Sequence, residues 1–453
     1  MKNIRLVAKG IALSMAALSG LTAFAGDDEG SVVLNLFGRN YDVRTWYVRF
    51  DTPVGFVEPE GMTFYNGKLY IGTDDNNTQG WLITYTPGPT GDLSVWDAIQ
   101  MSLTCDLRNN IWGPEGITVN TGGVGYGAFT SGQPILVSLD SRGDDRTATI
   151  DLNTSPALVC NIGPVPSPDD IAYVPSLNQF VVLDDRDLDG IWALFFNHNA
   201  SGLVFPPVNT WITGDLETKG LCVIPAEAAN WLLCRSDLTG EYLLMSSTVG
   251  VPGTRNKLWV YDFSGNVLGV TVFEPPNWGE IESVAYDPVN KIVYVGSEDT
   301  NRIHVFQLRP PASLDVSVTL QNFTSPLGQT AVLELRNPGD TIPQFTYPIT
   351  LDGSGNAALP CVAEGTWDVA VKFSHWLRDV VASKTIAAGT NSVSFVQVNG
   401  DANNDNSVGL ADLNAVLVKF GQADLMTDLD GSGLTDLADL NIVLLNFGKQ
   451  GQP

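Results

Sequence analysis

Two twelve-residue segments near the C-terminus carry oxygen-bearing side chains at matched spacings. Positions 1, 3, 5 and 12 hold a carboxylate, amide or hydroxyl in both segments, position 7 of the first offers a backbone carbonyl, and position 9 of the second is an aspartate. These residues are Asp401, Asn403, Asp405, Ser407 and Asp412, and Asp428, Asp430, Ser432, Asp436 and Asp439. Calcium takes roughly six to eight oxygens, which a tight loop with alternating inward side chains supplies. The spacing therefore predicts two loops that bind two calcium ions.

The elements around these loops repeat as closely as the loops themselves. Position 6 requires a positive φ, which suits Gly433 and, as the next best residue, Asn406. Each loop leads into a segment with one apolar face, which ends at Gly421 or Gly448. The apolar residues recur 27 positions apart, as Leu410, Leu413, Val416, Leu417 and Phe420, and then Leu437, Leu440, Val443, Leu444 and Phe447. We predict two helices that bury these faces against each other.

Residues 399–448 resemble a type I dockerin, which consists of two loop–helix calcium units without the leading helix of an EF-hand. The resemblance implies a docking tail, a cohesin-like or cell-surface receptor as its partner, and a place in a polysaccharide-degrading system. Dockerins that bind cohesins usually carry a Ser-Thr-like pair at loop positions 10 and 11, where this chain has Leu410-Ala411 and Leu437-Ala438. This departure counts against a cohesin partner, whereas the calcium prediction does not depend on these two positions. A duplicated acidic turn without metal is the alternative.

A second repeat covers residues 31–309. Five times, a charged residue and a small or polar one precede a short β-type run, at intervals of 55, 54, 50 and 63 residues. The charged residues are Glu60, Glu115, Asp169, Lys219 and Glu282. Repeats of this length, each with room for four strands, are typical of a β-propeller. We predict five blades, with Val32–Phe37 completing the last one; a sixth blade and a β-sandwich are the alternatives.

In such a propeller the five charged residues would meet at the mouth of the central channel. A carboxylate ring could hold a further calcium ion, as in the gluconolactonase-like and lactonase propellers that this region loosely resembles, where calcium polarises a lactone or ester carbonyl. Lys219 could instead neutralise the ring, so that these residues only pair and cap strands. Five tryptophans could line a carbohydrate-binding surface or pack between blades: Trp46, Trp81, Trp96, Trp112 and Trp278. Whether the chain is an enzyme stays open.

Residues 312–397, after Pro310-Pro311, alternate apolar and polar positions in short runs such as Val316, Val318 and Leu320. Runs of this kind in fewer than 90 residues predict a small β-sandwich. The stretch from Glu364 to Val369 resembles the carboxypeptidase-regulatory-like, or transthyretin-like, domains. That resemblance implies a spacer without catalytic residues.

The N-terminal sequence predicts that the protein is exported. Lys2, Arg5 and Lys9 precede a short apolar run, and Ala23-Phe24-Ala25 is typical of a cleavage site, so residues 1–25 read as a signal peptide. The chain has 24 basic and 50 acidic residues, for a net charge of −26, and losing three basic residues makes the mature value about −29. Such a surface disfavours nucleic acid and anionic lipid as partners. We expect a secreted or extracellular protein, with a periplasmic or cell-surface location as the alternatives, and no membrane-spanning segment.

The remaining reactive residues are few. Cys222 and Cys234 flank an expected hairpin at Ala228 and could form a cross-strand disulfide, whereas Cys105 and Cys160 form either a second pair or two thiols. The three histidines adjoin no nucleophile motif, which gives a serine hydrolase little support. The sequence as a whole predicts a mainly β, three-module exported protein with a binding role. A secreted hydrolase, either lactonase-like or glycan-active, is the competing function.

Overall fold

The computed structural model describes residues 27–47, 58–74, 81–93, 96–103, 114–119, 135–139, 146–151, 157–164, 168–184, 191–199, 202–214, 218–248, 256–273, 278–297, 300–323 and 325–453. Within these ranges the chain is mainly β, as the sequence predicts, and it contains three short helices. The expected signal peptide, residues 1–25, lies outside them. No helix in the described part is long and apolar enough to cross a membrane.

The first twenty-one strands form four sheets around one axis, one of which has eight strands because two four-stranded blades are joined by parallel pairing of residues 101–103 with residues 157–159. Their bounds are β1 (Asp27–Leu36), β2 (Arg39–Tyr47), β3 (Glu58–Tyr65), β4 (Lys68–Asp74), β5 (Trp81–Tyr85), β6 (Trp96–Leu103), β7 (Pro114–Val119), β8 (Ile135–Leu139), β9 (Arg146–Asp151), β10 (Ala157–Pro164), β11 (Pro168–Val174), β12 (Gln179–Asp184), β13 (Trp192–Asn199), β14 (Gly202–Ile212), β15 (Thr218–Pro225), β16 (Glu241–Thr248), β17 (Asn256–Tyr261), β18 (Val267–Phe273), β19 (Ile281–Asp287), β20 (Ile292–Ser297) and β21 (Arg302–Gln307). The innermost strands β3, β7, β11, β15 and β19 each contact the next, and β19 contacts β3. This closed ring is the arrangement of a five-bladed β-propeller.

The N-terminal hairpin completes the last blade through Arg39–Tyr47, whereas the predicted stretch Val32–Phe37 lies at the outer edge of that sheet. Strand β2 pairs with β21 in antiparallel register, with Trp46 opposite Ile303, and β1 adds a fifth strand outside β2. A buried cluster joins Met62 and Ile71 of the first blade to Tyr294 of the last. Strand β20 is buried along its whole length, because neighbouring blades cover both of its faces. Burial between blades explains why a single blade cannot stand alone.

One expected hairpin is a helix instead. Residues 226–233 form α1 (Ala226–Leu233), which begins after Pro225 and ends where Cys234 adopts a left-handed conformation. Alanine favours helix, and α1 buries Ala228, Ala229 and Leu232 against the blade. The strand paired with β15 is therefore β16, which follows the helix.

The expected disulfide between Cys222 and Cys234 is wrong for the same reason. Cys234 forms its disulfide with Cys361, 127 residues away, and Cys222 is a free thiol. Helix α1 carries Cys234 away from the sheet edge toward the next domain, so the two cysteines do not face each other across a hairpin. The side chains of Cys105 and Cys160 lie outside the described part of the structure.

The next seven strands form a sandwich of two sheets, ordered β25-β22-β28 and β24-β23-β26-β27. Their bounds are β22 (Ala312–Leu320), β23 (Thr330–Arg336), β24 (Pro343–Thr350), β25 (Asn356–Leu359), β26 (Gly365–Lys372), β27 (Asp379–Ile386) and β28 (Gly389–Gln397). The apolar residues of β22 are buried at alternate positions, including Val316, Val318 and Leu320, as the sequence pattern predicts. Their partners in the core include Trp376 and Phe395.

The sandwich is fastened to the propeller by a buried arginine as well as by the disulfide. The Arg39 guanidinium donates to the carbonyls of Trp231 (2.8 Å), Arg309 (2.9 Å) and Pro310 (3.1 Å). It also pairs with Glu364 of the sandwich at 3.1 Å. The Pro310-Pro311 segment between the propeller and the sandwich is therefore held in place.

The C-terminal part contains the helices α2 (Leu410–Lys419) and α3 (Leu437–Asn446), each preceded by one of the twelve-residue loops. A small core between them includes Val416, Val443 and Leu429, together with Leu377 of the sandwich. The carboxamide of Asn399 donates to the carbonyls of Gln321 (3.0 Å) and Leu429 (2.7 Å). The helical unit and the sandwich thus share both apolar and polar contacts.

Candidate calcium loops and channel mouth

The two loops have the same hydrogen-bond framework around their first aspartate. In the first loop the Asp401 carboxylate accepts the backbone N–H groups of Asp405 and Asn406, both at 2.9 Å. In the second loop Asp428 accepts those of Ser432 (3.0 Å) and Gly433 (2.8 Å). The first aspartate therefore closes each loop onto positions 5 and 6 by hydrogen bonds within the loop.

The twelfth residue of each loop closes it from the other side. Asp412 accepts the N–H groups of Asn403 (3.0 Å) and Gly409 (2.7 Å). Asp439 does the same for Asp430 (3.1 Å) and Asp436 (2.7 Å). Both aspartates are fully buried, and burial raises the pKa of each. A carboxylate held in this way is a charge for which a cation would compensate.

The sharp turn expected at position 6 is present in both loops. Asn406 has a φ of 69° and Gly433 a φ of 96°. Position 4 also turns with positive φ, at Asn404 (64°) and Gly431 (72°). The asparagines tolerate this conformation as the glycines do, so the two loops share one backbone path despite their different residues.

The second loop gathers three carboxylates at ion-binding distance. Oxygens of Asp428, Asp430 and Asp439 all lie within 4.8 Å of one another. Within the described ranges this is the one group of three or more acidic, histidine or cysteine side chains that could hold a metal ion. Three carboxylate oxygens in one loop match the hard oxygen ligands that calcium takes.

The other predicted ligands serve the loops' own structure. The Ser407 hydroxyl donates to Asp405 (2.7 Å), and the Asn403 carboxamide donates to the same carboxylate (2.8 Å). The first of these bonds is the main cause that lowers the pKa of Asp405. The Ser432 hydroxyl lies 3.5 Å from Asp428. Asp436 caps helix α3 by accepting the N–H of Ala438 at 2.7 Å.

A lysine of the sandwich reaches into the first loop. Lys372 is the last residue of β26, and its ammonium donates to Oδ2 of Asp401 at 2.8 Å. It also donates to Oδ1 of Asn404 (2.5 Å) and to the carbonyl of Trp376 (2.9 Å). Nothing in the loop pattern points to a lysine 29 positions upstream, so Lys372 could not be predicted from the sequence.

The apolar faces of α2 and α3 are buried only in part, which corrects the expectation that they pack wholly against each other. Val416 and Val443 are buried, whereas Leu410, Leu417 and Phe420 are exposed. The exposed apolar residues recur in the second helix, in the pairs Leu410 and Leu437, Leu417 and Leu444, Val418 and Leu445, and Phe420 and Phe447. The core between the helices also takes in Ile442 and, in part, Leu413 and Leu440, and the remaining apolar residues are left on the surface.

The five charged residues of the propeller lie at equivalent positions of the innermost strands. Each falls at a register shift near the start of its strand, as in Pro59–Met62 of β3 and Thr218–Gly220 of β15. Lys219 forms an ion pair with Asp169 at 3.5 Å. Glu60 and Glu282 are half-buried, and the side chain of Glu115 lies outside the described part. Among the described side chains, these acids do not form a metal-competent group.

A buried carboxyl beside the mouth was not singled out from the sequence. Asp170 follows Asp169, accepts the N–H groups of Ile171 (2.7 Å) and Leu221 (2.6 Å), and so bridges β11 and β15. Burial raises its pKa well above the ordinary value, and Asp169 adds to the shift. The equivalent residues in the other blades are glycine or serine, a difference visible in the repeat. Asp170 thus links the inner strands of two neighbouring blades by hydrogen bonds.

Two of the tryptophans considered for a carbohydrate surface are core residues. Trp46 and Trp278 are buried, and Trp278 stacks on His304. The side chains of Trp81, Trp96 and Trp112 lie outside the described part. Blade packing therefore accounts for the first two.

No family model matches the sequence, and no curated protein matches it. Solved structures give partial likenesses. A chain of a type II cohesin–X–dockerin complex from Acetivibrio cellulolyticus is 19% identical over 31% of this chain and 97% of that one, with a TM-score of 0.26. A gluconolactonase from Xanthomonas campestris is 12% identical over 65% of this chain and 100% of that one, with a TM-score of 0.34.

A β-fructofuranosidase from Schwanniomyces occidentalis is 12% identical over 77% of this chain and 91% of that one, with a TM-score of 0.37. The neighbours thus include propeller-type lactonase and glycosidase folds as well as a cohesin–dockerin relative. At these scores and identities the likenesses carry no argument about activity.

Proposed function

We propose that this chain is a secreted protein whose two C-terminal loops bind calcium and form a docking tail, while its propeller binds an extracellular ligand. The observation that carries the proposal is the three-carboxylate group of Asp428, Asp430 and Asp439 in a loop whose backbone framework recurs in the loop of Asp401 and Asp412. Calcium would supply positive charge to this cluster of carboxylates.

The docking surface would be the exposed apolar stripe of α2 and α3. Leu410 and Leu437 are 72% and 61% exposed, and Val418 and Leu445 are 64% and 76% exposed. Large apolar side chains that remain this accessible are typical of a protein interaction site. The partner we infer is a cohesin-like domain with an apolar face. The leucines at loop position 10 favour such a face over one that recognises Ser-Thr pairs.

Export is supported by the covalent chemistry of the chain. Disulfides form and persist in oxidising compartments, and Cys234–Cys361 is one. Together with the signal-peptide pattern of residues 1–25, it favours a secreted or cell-surface location. A place in a polysaccharide-degrading system is part of the proposal and rests on the dockerin resemblance.

Binding is favoured over catalysis in the propeller. Lys219 already forms an ion pair with Asp169 at the mouth, so this carboxylate would attract a metal ion less strongly. The central channel holds a cavity of ≈ 270 Å³ lined by the inner strands, with Tyr65, Tyr173 and Tyr286 among its walls. Aromatic rings with hydroxyls suit a small sugar-like ligand. A lactonase-like or glycan-active hydrolase is the second candidate, and the acids Glu60 and Glu282 would be its residues.

Calorimetric titration of the mature chain with calcium tests the proposal. We expect two ions per chain and a calcium-dependent rise in the melting temperature of the C-terminal unit. A matched variant, Asp430→Asn, should lose one ion, because it removes a charge from the carboxylate group. Docking is then tested with a panel of immobilised cohesin domains, where Leu417→Lys with Leu444→Lys should abolish capture without changing calcium binding. The absence of calcium-dependent heat would end the proposal.

A further inference from the structure

The two loops match each other residue by residue, but their surroundings differ. Asp401 and Asp428 are equivalent first residues, 27 positions apart, and both are buried. Asp401 receives an ammonium group from outside its loop, whereas Asp428 accepts only backbone N–H groups and the hydroxyl of Ser432 among its described contacts. The difference comes from the sandwich, because only the first loop lies against the end of β26.

The Lys372 ammonium lies in a largely buried position and makes three hydrogen bonds there. Its three partners are Asp401, Asn404 and the carbonyl of Trp376, which satisfy the three donors of an ammonium. The Lys372 side chain is 14% exposed and Asp401 is fully buried. A pair in such surroundings is screened far less than a surface pair.

We propose that Lys372 makes the two calcium sites unequal, so that the second loop fills first and the first loop binds calcium weakly. The inference rests on the calcium function proposed above. An ion entering the first loop meets a carboxylate that is already neutralised and an adjacent positive charge, both of which weaken its binding. The second loop has three clustered carboxylates and no lysine or arginine paired with Asp428 within the described residues.

Two consequences follow from the position of Lys372 on the sandwich. The calcium concentration at which the first loop fills is determined by a different domain from the one that contains the loop. Filling that loop must also weaken the Lys372–Asp401 ion pair, which is one of the contacts between sandwich and tail. Calcium occupancy of the first loop and the strength of this junction are therefore linked, and each weakens the other.

The test is a competition titration of the full mature chain against a chromophoric calcium chelator. The natural chain should show two binding steps, with dissociation constants at least about tenfold apart. Asp428→Asn should remove the tighter step and thereby assign it to the second loop. Lys372→Met should tighten the weaker step by about tenfold and leave the tighter one unchanged, since it removes one unit charge at nearly the same side-chain length.

Two control variants separate a local effect from general charge. Lys372→Arg keeps the charge and should keep the weak step. Lys419→Met removes one charge from α2, where Lys419 pairs with Asp424 at 3.1 Å outside both loops, and should leave both steps unchanged. Circular dichroism and melting curves of each variant check that it is folded. If Lys372→Met does not fold, the comparison of Lys372→Arg with Lys372→Gln provides the same test.

The outcomes are distinguishable. Equal affinities in the natural chain, or a weak step that Lys372→Met leaves unchanged, would overturn the inference while the calcium proposal stands. An equal tightening in Lys419→Met would overturn it too. If the natural chain binds one ion and Lys372→Met binds two, the inference is supported, because Lys372 then keeps calcium out of the first loop. No binding in any variant would remove the proposed function itself.

Discussion

The disulfide between Cys234 and Cys361 joins the C-terminal end of a propeller helix to the sandwich across 127 residues. It spans the junction that Arg39 also fastens, so the propeller and the sandwich are held together by a covalent bond and a buried ion pair. Cross-links that close long loops restrict the unfolded chain most, by about 4–5 kcal/mol in the chain-entropy model.

Reduction of this bond should lower the melting temperature of the mature chain. We expect Cys361→Ser to lower it by a similar amount and to become insensitive to reducing agent. Cys222→Ala is the matched control, because Cys222 is a partly buried free thiol and its variant should still respond to reductant. Melting curves with and without reductant measure the effect. A natural chain that melts identically in both would contradict this covalent link.

Replacing Arg39 with methionine should weaken the same junction. The variant leaves three carbonyl groups and part of Glu364 without their donor in a part-buried site, which we expect to cost about 3 kcal/mol. Arg44→Met on the same strand is the control, since its ion pair with Asp28 is exposed and worth about 1 kcal/mol at most. Denaturant unfolding gives both values, and equal losses would count against the clamp.

The sandwich and the helical tail should fold as one unit. The Arg336 guanidinium donates to the backbone carbonyl of the C-terminal residue Pro453 (2.6 Å), and Asn446 donates to Gln321 of the sandwich (3.2 Å). We therefore expect a fragment of residues 310–453 to melt cooperatively with calcium, and a fragment of residues 398–453 to be far less stable. Circular dichroism of the two fragments in calcium decides it. Equal melting temperatures would show the tail to be independent.

A single methyl group should strain the propeller ring. A Cβ at Gly220 would lie 2.7 Å from both the carbonyl oxygen of Glu282 and Cα of Ser283, which belong to the inner strand of the next blade. Gly220→Ala should therefore destabilise the propeller by about 1–3 kcal/mol. Gly353→Ala, where a Cβ meets open space, should change little. If both variants unfold alike, the two inner strands are not in contact at this point.

The buried carboxyl of Asp170 should make stability depend on pH. Its pKa in the folded chain lies above the ordinary value of 3.8, so between those two values the folded state binds more protons than the unfolded one. Stability from this group therefore falls as the pH rises through that interval. His304, whose pKa burial lowers, acts in the opposite sense, since it gains its proton on unfolding.

Comparing the natural chain with Asp170→Asn separates the effect of the Asp170 carboxyl on stability from that of His304, which both chains contain. The variant cannot titrate and loses one acceptor, so it should be less stable than the natural chain at pH 5 by about 1–3 kcal/mol, with a smaller difference at pH 7. Urea unfolding at the two pH values measures this. A difference that does not change with pH would mean that Asp170 is ionised in both states.

Much of this architecture is local and could be predicted from the sequence. The loop from Asp401 to Asp412 is closed by its own backbone N–H groups, so twelve residues specify it and its copy 27 positions later. The alternation in β22 and the five repeats of residues 31–309 likewise reflect short-range geometry, in which side chains of a strand face opposite sides. Patterns of this kind are visible because each residue's partner is a near neighbour.

Helix α1 could not be predicted with the same ease, because residues 226–233 are apolar enough for either a strand or a helix. A short apolar run has no decisive periodicity, and the location of Pro225 and the alanines decided it. The exposure of Leu417 and Leu444 could not be predicted either, since the residues that cover a helix face come from other parts of the chain.

The sequence by itself thus determined the repeats, the loops and the alternating strands, all of which depend on neighbours along the chain. Only the tertiary structure decided that Lys372 meets Asp401, that Cys234 meets Cys361 and that Asp170 bridges two blades. These contacts form because packing brings distant segments together, and no local spacing encodes which charge or thiol will lie opposite another.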